Sequence, residues 1–142
     1  MRLIKFKAWD LYRKKIWSAE EMGRDQLTIN PDGRGFINVN GLSTRLSTHM
    51  THLIPLQFID FLDKNGKEIY EGDIVNFSQS KDFKGHIGII GYYETGFRIY
   101  KRKEDEFPLD TDIPTAVNHL RLVIIGNIYE NPELLNKNEG EK

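Results

Sequence analysis

The chain has no cysteine among its 142 residues. Disulfides, thiolate metal centres and cysteine nucleophiles are thereby excluded. Net charge is also nearly absent, since 20 Lys+Arg against 21 Asp+Glu leave a formal -1. That argues against general binding to polyanions, while a local basic face stays compatible. Long hydrophobic runs are missing. Stretches such as Val123-Ile124-Ile125 fall far short of the ~20 residues a membrane span needs. The opening stretch is broken by Arg2, Lys5 and Lys7, where a signal peptide would run on apolar. The expectation is a cytoplasmic protein with no membrane partner. No HExxH, nucleophile elbow or phosphate-cradling glycine loop is present.

What is present is enough for a core. Hydrophobic residues make up 39% and charged residues 29%, and a chain of this length buries about 68–70% of its extended surface on folding. Strand patterns dominate. Ile4, Phe6 and Ala8 alternate with Lys5 and Lys7, the period of a half-buried strand. A polar break at residues 10–14 and the return Lys15-Ile16-Trp17 complete a hairpin. Ser18 with Glu21 has the spacing of a capping box for a short helical turn, which Gly23 is expected to stop. Residues 26–30 and 36–40 flank Pro31-Asp32-Gly33-Arg34-Gly35, a strong turn. Leu42, Leu46 and Met50 stand at i, i+4 and i+8, which permits a short amphipathic helix over residues 42–52, with a mobile connection as the alternative reading.

From Leu53 the apolar density rises up to the tight-turn signature Asn65-Gly66. A second turn at Glu71-Gly72-Asp73 leads into short strands through Tyr100, and the interior glycines of residues 85–93 suggest bulges or close approach. Asp112 or Thr111 is placed to cap a turn near Pro114. Residues 121–129 read as the last strand. Asn131-Pro132 reads as the start of a short helix, with Asn131 as N-cap, and residues 137–142 as a disordered tail. No strand is followed by a long amphipathic helix, which argues against a parallel α/β build. The expected fold is mainly β, a β-rich α+β chain. A small antiparallel barrel of about five strands spans residues 53–136, and a β-hairpin annex and connection span residues 1–52.

Little points to chemistry. His49 and His52 are i, i+3, but no third metal ligand accompanies them, and no metal or cofactor is expected. Asp63-Lys64-Asn65-Gly66 fails as a calcium loop, because its glycine comes too early and Ile74 stands where the closing Glu belongs. Asp63, Glu68, Glu71 and Asp73 are read as turn residues, with Asp73 accepting turn amide hydrogens. The segment 1–17 is basic and aromatic. Lys5, Lys7, Tyr12, Arg13, Lys14 and Lys15 form a candidate nucleic-acid face working by stacking and charge. Against it stands the reading that Phe6, Trp9 and Trp17 are core and the lysines a solvated strand face.

Three segments carry a resemblance. Residues 4–10, IKFKAWD, residues 63–75, DKNGKEIYEGDIV, and residues 123–135, VIIGNIYENPELL, resemble in order and spacing the YopX family of phage and prophage proteins. The stretch Phe58 to Leu62 is more apolar than the family's, and residues 20–52 match no motif. The resemblance implies a phage-encoded β-rich protein with an SH3-like barrel, and no catalytic residue. Within it Trp9, Asn65, Gly66, Tyr70, Gly72, Asp73, Gly126, Asn131 and Pro132 are expected to specify the fold. Tyr70 is placed beside Trp9 or Tyr129 in an aromatic seam, and Leu134 and Leu135 over a barrel end. The leading functional expectation is a non-enzymatic accessory module that binds a host or phage protein, with a homo-oligomer plausible through open strand edges. The alternative is a nucleic-acid-binding module.

Overall fold

A computed structural model describes residues 2–39, 49–78 and 86–135. The chain divides into two compact units, Leu3–Gln57 and the chain from Phe58 on. The division falls inside a strand, where the chain pattern placed a boundary at residues 52 and 53. Among the described residues, all strand pairs are antiparallel.

In the first unit, β1 (Phe6–Asp10) and β2 (Lys15–Trp17) form the expected hairpin, with Ala8 opposite Trp17 and Asp10 opposite Lys15. The other edge of β1 pairs with the first half of β6 (Leu53–Leu62), from Phe6 opposite Gln57 to Asp10 opposite Leu53. Helix α1 (Ala19–Arg24) has the capping box read from Ser18 and Glu21. It does not stop at Gly23, because Asp25 closes it with its backbone N–H on the Glu21 carbonyl while the Gln26 N–H reaches the Gly23 carbonyl. A small sheet of β3 (Leu27–Ile29), β4 (Phe36–Asn38) and β5 (His49–Met50) follows. Met50 is therefore a strand residue opposite Phe36, not part of a helix; residues 42–48 of that reading lie outside the described residues. Gly35, at φ +78°, lies where any Cβ would strike the Met50 carbonyl. Ala8, Met22, Phe36 and Leu53 make the core, with Phe6, Trp17, Leu27, Ile29 and Met50 packed on it. Trp9 is buried as well.

The second half of β6 pairs with β7 (Glu68–Tyr70) across the Asn65-Gly66 turn. Strands β8 (Asp73–Phe77), β9 (His86–Tyr93), β10 (Gly96–Tyr100) and β11 (Val123–Asn127) form one sheet in the order β10-β9-β8-β11. The antiparallel build includes a curled half-barrel. The glycines of β9 serve close approach rather than bulging. The β9 register is regular, and a Cβ on Gly88 would run into Ile99 while one on Gly91 would sit 2.9 Å from the Tyr100 ring. Helix α2 (Ile113–His119) is capped by Asp112, whose side chain accepts from the Thr115 N–H at 2.8 Å. It lowers Ile113 and Ala116 into a core of Ile59, Ile69, Val75, Phe77, Ile90, Ile99 and Leu122. Residues 137–142 lie outside the described residues.

Candidate functional site

Asp10 ends β1 and is 2% exposed. Its carboxylate accepts the Tyr12 N–H at 2.9 Å, the Arg13 N–H at 3.0 Å and the Trp17 indole N–H at 3.0 Å. The Lys14 N–H reaches the Asp10 carbonyl at 2.9 Å, with Lys14 in the left-handed region at φ +54°, and the Leu11 N–H reaches the His52 carbonyl at 3.0 Å. Burial by itself raises the pKa of the Asp10 carboxyl. The three hydrogen bonds and the nearby His52 outweigh it and hold the group below its ordinary value. The β1–β2 turn is thus tied down on both sides, and it throws Tyr12 and Arg13 outward.

Tyr12 is 80% exposed. One face of its ring lies parallel to His52, with centroids 4.4 Å apart and planes 9° apart. The Arg13 guanidinium stands 5.7 Å from the Trp17 ring centroid and the Lys15 ammonium 4.1 Å from it. Tyr12, His52, Arg13 and Trp17 border a cavity of about 560 Å³. Arg24 and Asp25 reach it from the end of α1, and Asn38 from β4. Met50, Leu53 and Trp17 supply its apolar wall. Among the described residues, neither arginine is paired with a carboxylate.

Of the candidate nucleic-acid face, only Tyr12 and Arg13 line this cavity. Lys5 is paired with Glu20 at 3.2 Å and Lys15 with Glu21 at 3.1 Å. Both glutamates titrate below their ordinary value: Glu20 through backbone hydrogen bonding and then Lys5, Glu21 through the Ser18 N–H and then Lys15. Lys7 lies on β1 opposite Leu56, and Lys14 is exposed in the turn. Asp10, Arg24, Asp25, Asn38 and His52 were not legible as site residues. Asp10 carried a local signal, an acid ahead of a turn with free amides; the others meet only through the fold. The two histidines weighed as metal ligands part company: His49 faces Asn30 at 3.0 Å, and His52 stacks on Tyr12.

The motif residues of the second unit are bound into turns. Asp63 accepts the Asn65 and Lys67 N–H groups at 2.8 and 2.9 Å, and reaches across to the Ile124 N–H of β11 at 3.0 Å. Gly66 at φ +80° and Gly72 at φ +84° hold conformations that favour glycine. Asp73 accepts the Tyr70 N–H at 2.8 Å, as expected of a turn acid. Tyr70 is buried with its ring 5.6 Å from Phe58 and its hydroxyl donating to Glu68. Tyr129 packs over Gly72, and burial, then the Glu71 charge, raise its hydroxyl pKa. At the closing motif Asn131 does not cap forward. Its side-chain oxygen turns back to accept the Asn127 N–H at 3.2 Å, while its carbonyl accepts from Leu134 ahead of the helical turn that follows Pro132. A Cβ on Gly126 would collide with that Asn131 side chain and sit 2.9 Å from Leu134. Among the described residues, no three His, Asp or Glu side chains gather in a way that could hold a metal ion.

Fold and site together define a small, mostly β, antiparallel protein with a polar, ligand-sized hollow in its first unit. A family model described as YopX protein matches residues 5–136, and the chain belongs to the YopX family. It is similar in fold to the crystal structure of protein EF1440 from Enterococcus faecalis, at 21% identity and TM-score 0.58, over 95% of this chain and 99% of that one. It is also similar to the crystal structure of yopX from Bacillus subtilis, at 18% identity and TM-score 0.57, over 95% of this chain and 97% of that one. No curated protein matches it by sequence.

Proposed function

We propose that this chain is a phage- or prophage-encoded accessory protein of the bacterial cytoplasm, a binding module without catalysis that engages a host or phage protein through an SH3-like half-barrel. The tip of the β9–β10 hairpin carries the reading. Tyr92, 54% exposed, meets Phe97 edge-on with centroids 5.2 Å apart, and Phe107, 64% exposed, meets Tyr93 at 6.2 Å. Tyr92 and Tyr93 are consecutive on one strand and so point to opposite faces of it, which gives the hairpin tip an aromatic pair on each side. Exposed aromatics in such a cluster are the usual anchors of protein interfaces. The buried acids Asp10, Asp63 and Asp73 support the non-catalytic part, because each is already occupied by main-chain or indole donors. The test is capture from host lysate with wild type and a Tyr92→Ala, Phe107→Ala variant side by side. A partner recovered by the wild type and lost with the variant is expected. Identical sets with both proteins refute the reading. The same pair compared by light scattering reports whether a homo-oligomer uses this tip.

The nucleic-acid reading has one observation in its favour, the exposed Tyr12 ring beside Arg13 and Lys14. The ion pairs of Lys5 and Lys15 weaken the field of that face. Fluorescence anisotropy with single-stranded oligonucleotides at two salt concentrations tests it, and binding indifferent to salt counts against phosphate contacts.

A further inference from the structure

We infer that the cavity bounded by Tyr12, Arg13, Arg24 and Asp25 is a binding site for one nucleotide unit, with the base stacked on Tyr12 and the phosphate held by the two guanidiniums. The proposal rests on the cavity and not on the lysines of the strand-binding reading. The ring stack comes first. His52 covers one face of Tyr12 at a 9° angle, and the 80% exposure of Tyr12 leaves its other face to solvent. A flat partner laid on that face continues a parallel stack, the arrangement in which nucleobases bind protein aromatics. Phenyl and phenol rings of a peptide favour edge-on or offset contact instead.

The charges follow. Arg13 comes from the β1–β2 turn and Arg24 from the end of α1, and both border the same hollow without a carboxylate partner among the described residues. Guanidinium forks match phosphate oxygens two at a time, which a lysine does not. Asp25 supplies a carboxylate acceptor on the same rim, suited to an exocyclic amine of a base. A volume of about 560 Å³ falls within the roughly 300–1,000 Å³ of small-ligand sites. The Asp10 carboxylate does not stand as a free anion against the phosphate, since three donors surround it and fix the turn that presents Tyr12 and Arg13. A site built before its ligand arrives loses less ordering entropy on binding.

The experiment titrates the full chain with 5′-AMP, adenosine, inorganic phosphate and a short single-stranded oligonucleotide, read by calorimetry and by tryptophan fluorescence, Trp17 being the tryptophan that lines the cavity. 5′-AMP is expected to bind at least about tenfold more tightly than adenosine or phosphate alone, and Arg24→Ala or Tyr12→Ala to weaken it by at least about tenfold. Both side chains are exposed, so neither change threatens the fold. If the oligonucleotide binds and 5′-AMP does not, with dependence on Tyr12 and Arg24, the unit is read within a strand, and the site stands. Oligonucleotide binding that falls with Lys7→Ala, Lys14→Ala but ignores Arg24→Ala overturns the cavity while sparing the strand-binding reading. An acidic aromatic peptide such as Glu-Tyr-Glu that binds at Arg24 while every nucleotide is inert overturns the proposal, and so does silence from all probes at millimolar concentration.

Discussion

Three buried aspartates show what acids do in this chain. Asp10, Asp63 and Asp73 are each less than a tenth exposed, and each accepts backbone N–H groups at the start or end of a turn. Donors that would otherwise be orphaned in the interior are satisfied by a charge that is itself solvated by them. Asp10 makes the consequence measurable. Its folded pKa lies below the ordinary carboxylate value of about 3.9, so the unfolded chain binds its proton more readily. The stability it contributes is fully present above that unfolded value and is lost as pH falls through the folded one. Asp10→Asn keeps an oxygen but loses the charge and offers an amide where a donor already points. It is expected to cost about 1–3 kcal/mol at pH 7 and to flatten the acid limb of stability, measured by denaturant titration at neutral and acid pH. An unchanged acid limb would show that Asp10 is not the group responsible.

At the scale of the element, close approach governs the sheet from β8 to β11. Gly88 and Gly96 belong to the same β9–β10 hairpin, yet only one has a neighbour in its way. A Cβ at Gly88 meets Ile99, which is fully buried and has no room to yield, whereas nothing lies within 4 Å of Gly96. Gly88→Ala is expected to destabilise by about 1–3 kcal/mol, and Gly96→Ala to stay within about 0.5 kcal/mol. Thermal melts of the two variants check this, and equal losses would remove the steric account. The same logic explains the closing motif: Gly126 is glycine because the Asn131 side chain and Leu134 occupy the space above it. From sequence, the interior glycines could signal either a bulge or a tight approach. Only the partner strand, with Ile99 and Tyr100 across the ladder, decides between them.

At the scale of the molecule, the described residues form two buried clusters, one around Phe36 and Leu53 and one around Ile90 and Ile99. Phe36→Ala is expected to raise amide hydrogen exchange first within Leu3–Gln57, and Ile99→Ala first in the chain from Phe58 on, each at a stability loss of about 2–5 kcal/mol. Exchange that rises evenly along the chain for both variants would mean that the clusters open as one. Much of this build was legible beforehand, because its signals are local. The alternation of Phe6 and Ala8, the Ser18–Glu21 box, the turn glycines Gly66 and Gly72 and the Asp112 cap each act over a few residues, where side-chain period and backbone sterics are nearly sufficient. Helix α1 outran its expected stop because a single glycine lowers propensity without breaking hydrogen bonds, and Met50 joined a strand because Phe36 stood ready to pair with it. The sequence by itself therefore determined a cysteine-free, turn-punctuated antiparallel β chain and the motifs that bend it. The tertiary structure alone decided which polar groups meet. Arg13, the adjacent pair Arg24 and Asp25, and His52 come from three separate segments, and no period or spacing links side chains whose neighbourhood is set by the packing of a helix end against two sheets.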